Sequence, residues 1–155
     1  MKPARGFTLI ELMVTVSLVA VLMSVVAPFL GNAIANARAR NIVSKFRQDF
    51  SWARNLAGTS GRAVTLTLKA DCSWSSTVEG TVDASHSLTA TELAASASAM
   101  SCTGNNTTAL PVTMTFTSQG FVAPGATFVF NGPNAQTWPI QILGSGSVIV
   151  TRGAS

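Results

Sequence analysis

The chain has 155 residues, of which 47 % are hydrophobic and only 10 % are charged, which is enough material for one small domain and a long helix. It contains one histidine and six acidic residues, with no clustered carboxylate pair and no glycine-rich phosphate loop. We therefore expect neither an enzyme active site nor a metal or cofactor site.

The N-terminal region combines a short basic segment with a long apolar run. Residues 1–6 carry Lys2 and Arg5 and no acid, whereas the 24 residues from Phe7 to Leu30 carry a single charge, Glu11. A helix of 24 residues is about 36 Å long and can cross a bilayer core of about 30 Å. A carboxylate inside such a span costs at least about 2–3 kcal/mol, so its presence indicates a function.

A second, amphipathic helical segment is predicted to follow the apolar run. Pro28 and Gly31 are expected to interrupt the helix, and Pro28 either kinks it or marks the end of the span. Residues 32–57 then continue as helix until the glycines at 58 and 61 stop it. Apolar residues recur at spacings of three and four and predict one buried stripe: Val43, Phe46, Phe50, Ala53 and Ala57.

The polar side of this helix carries three arginines at seven-residue spacing, Arg40, Arg47 and Arg54. Their spacing places them on one flank, either as a basic interface for acidic protein surfaces or DNA, or as a solvated helix face. Lys45 and Asp49 are spaced for an i,i+4 ion pair, which we expect on the side away from the domain.

The remainder of the chain is predicted to be mostly β-structure with one short helix. Residues 83–108 lack a clear period, and the single histidine, His86, is expected in a surface loop of this stretch. Thr89 and Glu92 predict a capping box for a helix ending near residue 99. The fold class is therefore α+β, a long N-terminal helix packed on a small, mostly antiparallel β-rich head, with strands predicted at 64–68, 77–82, 112–116, 127–130 and, as a terminal hairpin, 138–143 and 147–151.

The N-terminal segment Gly6-Phe7-Thr8-Leu9-Ile10-Glu11, followed by the apolar run, resembles the type III signal of type IV pilins and type II secretion pseudopilins. The resemblance implies that a prepilin peptidase cuts the leader after Gly6 and that Phe7 becomes N-methylated. Removal of the leader with its two basic residues would lower the net charge from +4 to +2. The resemblance also implies that Glu11 and Pro28 act in assembly, with Glu11 pairing with the first amino group of a neighbouring subunit.

The same resemblance implies a domain organisation and a location. Residues 1–6 are the leader, 7–30 a transmembrane and filament-core helix, 31–58 an amphipathic helix continuing into the head, and 59–155 a periplasmic head. The implied location is the bacterial inner membrane in a single pass, followed by a pilus or pseudopilus. The implied partners are other pilins or pseudopilins.

Within the superfamily, the chain is similar to the GspH/FimT group of minor pilins and pseudopilins. The similarity covers residues 52–57, 61–66 and 116–120 with the final hairpin. It implies a minor pilin that initiates or caps a pilus, as in FimU-like members. The alternatives are an H-type minor pseudopilin of type II secretion and a FimT-like DNA-uptake pilin. FimT-like members bind DNA through Gly-Arg-x-Arg, but the matching positions here read Gly146-Ser147-Val148-Ile149, and Arg152 is the only nearby charge. Several phosphate contacts are needed for DNA binding, so we rank it last.

The two cysteines, Cys72 and Cys102, are expected to form a disulfide. The basic leader places the N-terminus in the cytoplasm and the head in the periplasm, which permits disulfides. A bridge would close a loop of about 30 residues and contribute about 3 kcal/mol. Two buried free thiols are the alternative, and a zinc site is not expected because no other ligands cluster with them.

Overall fold

The computed structural model describes residues 7–97, 99–105 and 107–151, and at residues 27 and 28 it describes the helical backbone alone. These residues divide into two units, one up to Ile34 and one from Ala35 onward. The long helix α1 (Leu9–Ser60) contributes to both. The interruption predicted at Pro28 and Gly31 does not end the helix. A single proline removes only one backbone hydrogen bond, and the residues on both sides of it are helical.

The second unit folds into two antiparallel sheets after the helix. In the described ranges the elements after α1 are β1 (Val64–Leu68), β2 (Trp74–Val78), β3 (Thr81–Leu88), α2 (Ala90–Ser96), β4 (Ser101–Gly104), β5 (Val112–Phe116), β6 (Val122–Ala123), β7 (Ala126–Asn131), β8 (Thr137–Ile142) and β9 (Val148–Val150). The first sheet has the strand order β3-β2-β1-β5-β6 and the second has the order β4-β7-β8-β9.

The predicted apolar stripe of α1 is confirmed as the helical side of the core. Phe46 lies at its centre, with its ring 5.4 Å from that of Trp74 in the first sheet and 5.6 Å from that of Phe128 in the second. Because one side chain contacts both sheets, the helix fixes the two sheets against each other. The members of the stripe are all buried: Val43, Phe46, Phe50, Ala53 and Ala57.

The strand predicted at residues 77–82 is wrong, because a two-residue turn divides that segment between β2 and β3. Glu79 and Gly80 both have positive φ, 51° and 83°, and Val78 pairs with Thr81 across the turn. Two residues with positive φ form the tight turn whose twist suits a hairpin. The Glu79-Gly80 pair was the available sequence signal for this turn. The alternation of apolar and polar residues in the strands on its two sides is weak, so the pattern did not separate them.

The predicted bridge between Cys72 and Cys102 is present, with the two Cα atoms 5.1 Å apart. Cys72 precedes β2 of the first sheet and Cys102 lies in β4 of the second. The disulfide therefore joins the two sheets covalently. The terminal hairpin is also confirmed, since β8 and β9 pair antiparallel.

Candidate assembly site

The N-terminal end of α1 is capped by Thr8. Its carbonyl accepts the backbone N–H of Leu12 at 3.2 Å, and its hydroxyl accepts the backbone N–H of Glu11 at 3.3 Å. Phe7 is 81 % exposed, and Glu11 is exposed in the first helical turn. A carboxylate in this position is favoured by the helix dipole. Gly6, the predicted cleavage position, lies outside the described residues.

The first unit exposes apolar side chains on every side of the helix. None of its most apolar 18-residue stretch is buried. By length and composition this helix could cross a membrane. A helix that is apolar all round needs lipid or other apolar helices about it. The exposed residues of this unit include Leu9, Ile10, Leu12, Met13, Val14, Val16, Leu18, Val19, Val21, Leu22, Met23, Val25, Val26, Phe29, Leu30 and Ile34.

The hydroxyl groups within this run are satisfied by the helix itself. Thr15 donates to the carbonyl of Leu12 at 2.8 Å, Ser17 to that of Met13 at 2.8 Å, and Ser24 to that of Val21 at 2.7 Å. Bonds of this kind remove the cost of placing a hydroxyl in an apolar medium. The carboxylate of Glu11 has no ion-pair partner among the residues that the structure describes.

The three arginines of the predicted basic row are placed differently. Arg40 and Arg47 are exposed, and Arg40 donates from Nε only to the carbonyl of Asn36 on its own helix, at 3.3 Å. Arg54 is partly buried and donates from Nε to the carbonyl of Gly120 at 3.0 Å and from Nη2 to that of Ser145 at 3.2 Å. Arg54 therefore ties α1 to the β5–β6 turn and the β8–β9 turn.

The contact of Arg54 depends on two glycines with positive φ. Gly120 has φ of 79° and Gly146 has φ of 77°, both unfavourable for residues with a side chain. A Cβ atom at Gly146 would collide with the carbonyl oxygen of Gly120 and lie 2.7 Å from Nε of Arg54. The sequence indicates both turns, but it does not indicate that one arginine joins them.

A buried carboxylate lies where the sequence predicted a solvent-facing pair. Asp49 is only 4 % exposed, so the Lys45–Asp49 pair, with 2.7 Å between Nζ and Oδ2, lies on the side of α1 that faces the head. Asp49 Oδ2 also accepts the indole N–H of Trp74 at 2.9 Å, and Oδ1 lies 3.2 Å from Nδ1 of His86. A buried charge is tolerated because these donors replace its lost hydration.

His86 belongs to β3, so its expected position in a surface loop is wrong. Its ring stacks on that of Trp52 with the centroids 3.7 Å apart and the planes 12° from parallel. Together with the Asp49 contact, this stacking fixes the edge strand β3 against α1. Within the described residues, no group of three or more His, Cys, Asp and Glu side chains is arranged to hold a metal ion.

Two exposed carboxyl groups of the head have lowered pKa values. The hydroxyl and backbone N–H of Ser73, with the nearby charge of Lys69, lower the pKa of Asp71. The backbone N–H and hydroxyl of Thr89 lower the pKa of Glu92, and these contacts form the predicted capping box of α2. Asp71 thus stabilises the turn before β2, and Glu92 stabilises the N-terminal end of α2.

Comparison with known families gives two matches along the chain. Residues 1–27 match the family described as the prokaryotic N-terminal methylation motif. Residues 43–147, more than half of the chain, match the family described as type II transport protein GspH. No curated protein and no solved structure matches the chain.

Proposed function

Because the chain belongs to the GspH family of type II transport proteins and begins with a prokaryotic N-terminal methylation motif, we propose that this minor pilin or pseudopilin is incorporated in a type IV pilus filament, which it initiates or caps. The observation that carries the proposal is the helix that starts beside Phe7 and Glu11 and exposes apolar side chains all round. Members of these families are structural subunits, and the role proposed here requires no catalysis.

The driving force of assembly is the transfer of the apolar helix from lipid to the apolar helices of other subunits. Its surface stays out of water throughout, so the transfer avoids the cost of exposing the residues up to Ile34. Glu11 would set the register, because its carboxylate can pair with the first amino group of a neighbouring subunit. A buried carboxylate without a partner is penalised by several kcal/mol, which favours one height of insertion over the others.

Processing and location complete the proposal. A prepilin peptidase would cut after Gly6 and methylate Phe7, whose high exposure leaves it accessible. The subunit would sit in the inner membrane in a single pass, with residues 7–30 as the span and with its head in the periplasm. The disulfide between Cys72 and Cys102 supports an oxidising compartment for the head.

An H-type minor pseudopilin of the type II secretion system is the second candidate. The description of the matched family, a type II transport protein, favours it. The leader, the apolar helix and the β-rich head would serve either machine in the same way. The two candidates differ in their partners and not in the chemistry of this chain.

The test is to purify the intact subunit with its partners and to image a deletion strain. Co-purification of pilus minor pilins, identified by mass spectrometry, together with loss of surface filaments in electron micrographs, is the expected result. Co-purification of secretion pseudopilins, with surface filaments still present in the deletion strain, would assign the chain to the type II secretion system instead. Recovery of neither class would overturn both candidates.

A further inference from the structure

We propose that a groove between α1 and the β8–β9 turn binds a carboxylate side chain of a neighbouring subunit. This inference rests on the proposed role as a filament subunit. The groove, called here the arginine groove, is lined by Arg47, Ser51, Arg54 and Asn55 of the helix and by Ser147 of the turn. Guanidinium, hydroxyl and amide groups are all donors to a carboxylate.

The helical spacing brings the four donors of α1 onto one face. Positions 47, 51, 54 and 55 are separated by four, three and one residues, so they project toward the same side of the helix. Arg47, Ser51 and Asn55 are exposed, and Arg54 lies deeper. The groove therefore has a fixed guanidinium at its base and an accessible one at its rim.

Arg54 is held in place before any ligand arrives. Two of its donors are directed at the carbonyls of Gly120 and Ser145, at 3.0 and 3.2 Å. A guanidinium carries five N–H donors, so others remain for a ligand. A side chain that is already ordered loses less conformational entropy on binding, which favours recognition at this position.

The positive charge of the groove has no compensating acid within the described part of the head. Asp49 is occupied by Lys45, Trp74 and His86. The described ion pairs do not include Arg47 or Arg54. The other acids of the head all lie between residues 71 and 92, outside the lining of the groove: Asp71, Glu79, Asp83 and Glu92.

The balance of charge favours a protein carboxylate over nucleic acid. Residues 35–151 contain seven Lys and Arg and five Asp and Glu, a net charge of 7 − 5 = +2. Non-specific binding to nucleic acid depends on many cation–phosphate contacts, whereas the groove offers two guanidinium groups. One carboxylate needs far fewer contacts, since a single guanidinium already binds it with two parallel hydrogen bonds.

The experiment uses the full-length chain, purified with its partners from cells that produce it. The Arg47→Lys variant introduces a primary amine at the rim of the groove, and Arg40→Lys introduces one on the same helix outside it. A carbodiimide couples an amine to a carboxylate in direct contact, and mass spectrometry identifies the joined residues. We expect Arg47→Lys to be coupled to an Asp or Glu of another subunit at least fivefold more than Arg40→Lys.

Charge reversal gives the second readout. Arg47→Glu should lower the recovery of other subunits at least fivefold, whereas Arg40→Glu should leave it within twofold of the unchanged chain. If partners are recovered equally with Arg47→Glu and no coupling occurs at position 47, the inference is wrong and the proposed function stands. If the unchanged chain recovers no pilin or pseudopilin, the proposed function fails and this inference with it.

Binding of nucleic acid in the arginine groove is the competing hypothesis, and a gel shift of short duplex DNA tests it. The carboxylate assignment requires that the full-length chain, in detergent micelles, does not shift this DNA at micromolar concentration. A shift that is abolished by Arg47→Glu and kept by Arg40→Glu would assign the groove to nucleic acid and overturn the proposal.

Discussion

Two carboxylates on α1, Glu11 and Asp49, lie in opposite surroundings. Asp49 is buried and has donors from Lys45, Trp74 and His86 within the chain. Glu11 is exposed on an apolar helix and has no ion-pair partner among the described residues. Asp49 can therefore stabilise the isolated subunit, whereas Glu11 has no ion-pair partner in the part of the chain that the structure describes and, in the proposed assembly, pairs with another molecule.

We expect Glu11→Ala to abolish incorporation into filaments while leaving cleavage of the leader unchanged. The substitution removes the charge that selects the register but leaves the residues at the cleavage position intact. The amount of the subunit recovered with filaments measures incorporation. Gel mobility measures cleavage of the leader, and the Gly6→Glu variant marks the position of the uncut precursor on the gel. Ser17→Ala is the control within the same span, because its hydroxyl bonds only to Met13 of its own helix. Normal piliation with Glu11→Ala would contradict the register hypothesis.

The Asp49→Ala substitution should lower the free energy of unfolding by about 2–4 kcal/mol. It leaves the buried indole N–H of Trp74 without its acceptor and separates Lys45 and His86 from their common partner. Tryptophan fluorescence during urea unfolding of the chain in detergent micelles measures the change. Glu79→Ala is the matched control at an exposed turn and should change the value by less than about 0.5 kcal/mol. A decrease in the free energy of unfolding of less than about 1 kcal/mol with Asp49→Ala would show that the buried contacts of this carboxylate are not needed for stability.

At the scale of the elements, Arg54 joins the C-terminal part of α1 to the β5–β6 turn and the β8–β9 turn. We expect Gly146→Ala to destabilise the head by about 1–3 kcal/mol, because its φ is 77° and the added Cβ meets the carbonyl of Gly120. Gly144→Ala is the matched control two residues away, where the nearest atom to a Cβ is the carbonyl oxygen of Val122 at 3.7 Å. Thermal unfolding compares the two variants, and equal melting temperatures would contradict the role of this contact.

The elements that could be predicted from the sequence are those with a strong apolar period or a local capping signal. The buried stripe of α1, β1, β5 and the capping box at Thr89 belong to this group. Two of the edge strands, β3 and β4, could not be predicted correctly, because they consist largely of small polar residues and are defined by pairing with a neighbouring strand. Long-range contacts such as that of Arg54 with Gly120, 66 residues apart, produce no periodic pattern in the sequence from which they could be predicted.

At the scale of the whole molecule, the chain combines two units with different solvent requirements. The described residues up to Ile34 expose their apolar side chains, whereas the buried core begins at Ala39 and lies within the unit that starts at Ala35. The buried core residues that the structure describes thus all belong to the second unit, which has the composition of an independent domain. The apolar unit, by contrast, is stable in water only when lipid, detergent or other helices cover it.

Deleting residues 1–34 should therefore give a soluble, monomeric head that folds without detergent. We expect its free energy of unfolding to lie within about 1 kcal/mol of that of the full-length chain in micelles, because it keeps every buried core residue that the structure describes. Light scattering measures the mass, and urea unfolding followed by tryptophan fluorescence measures the stability. The matched comparison is the full-length chain after dilution of its detergent, which should aggregate. A truncated chain that also aggregates, or that unfolds without a cooperative transition, would mean that the apolar helix is needed for folding as well as for assembly.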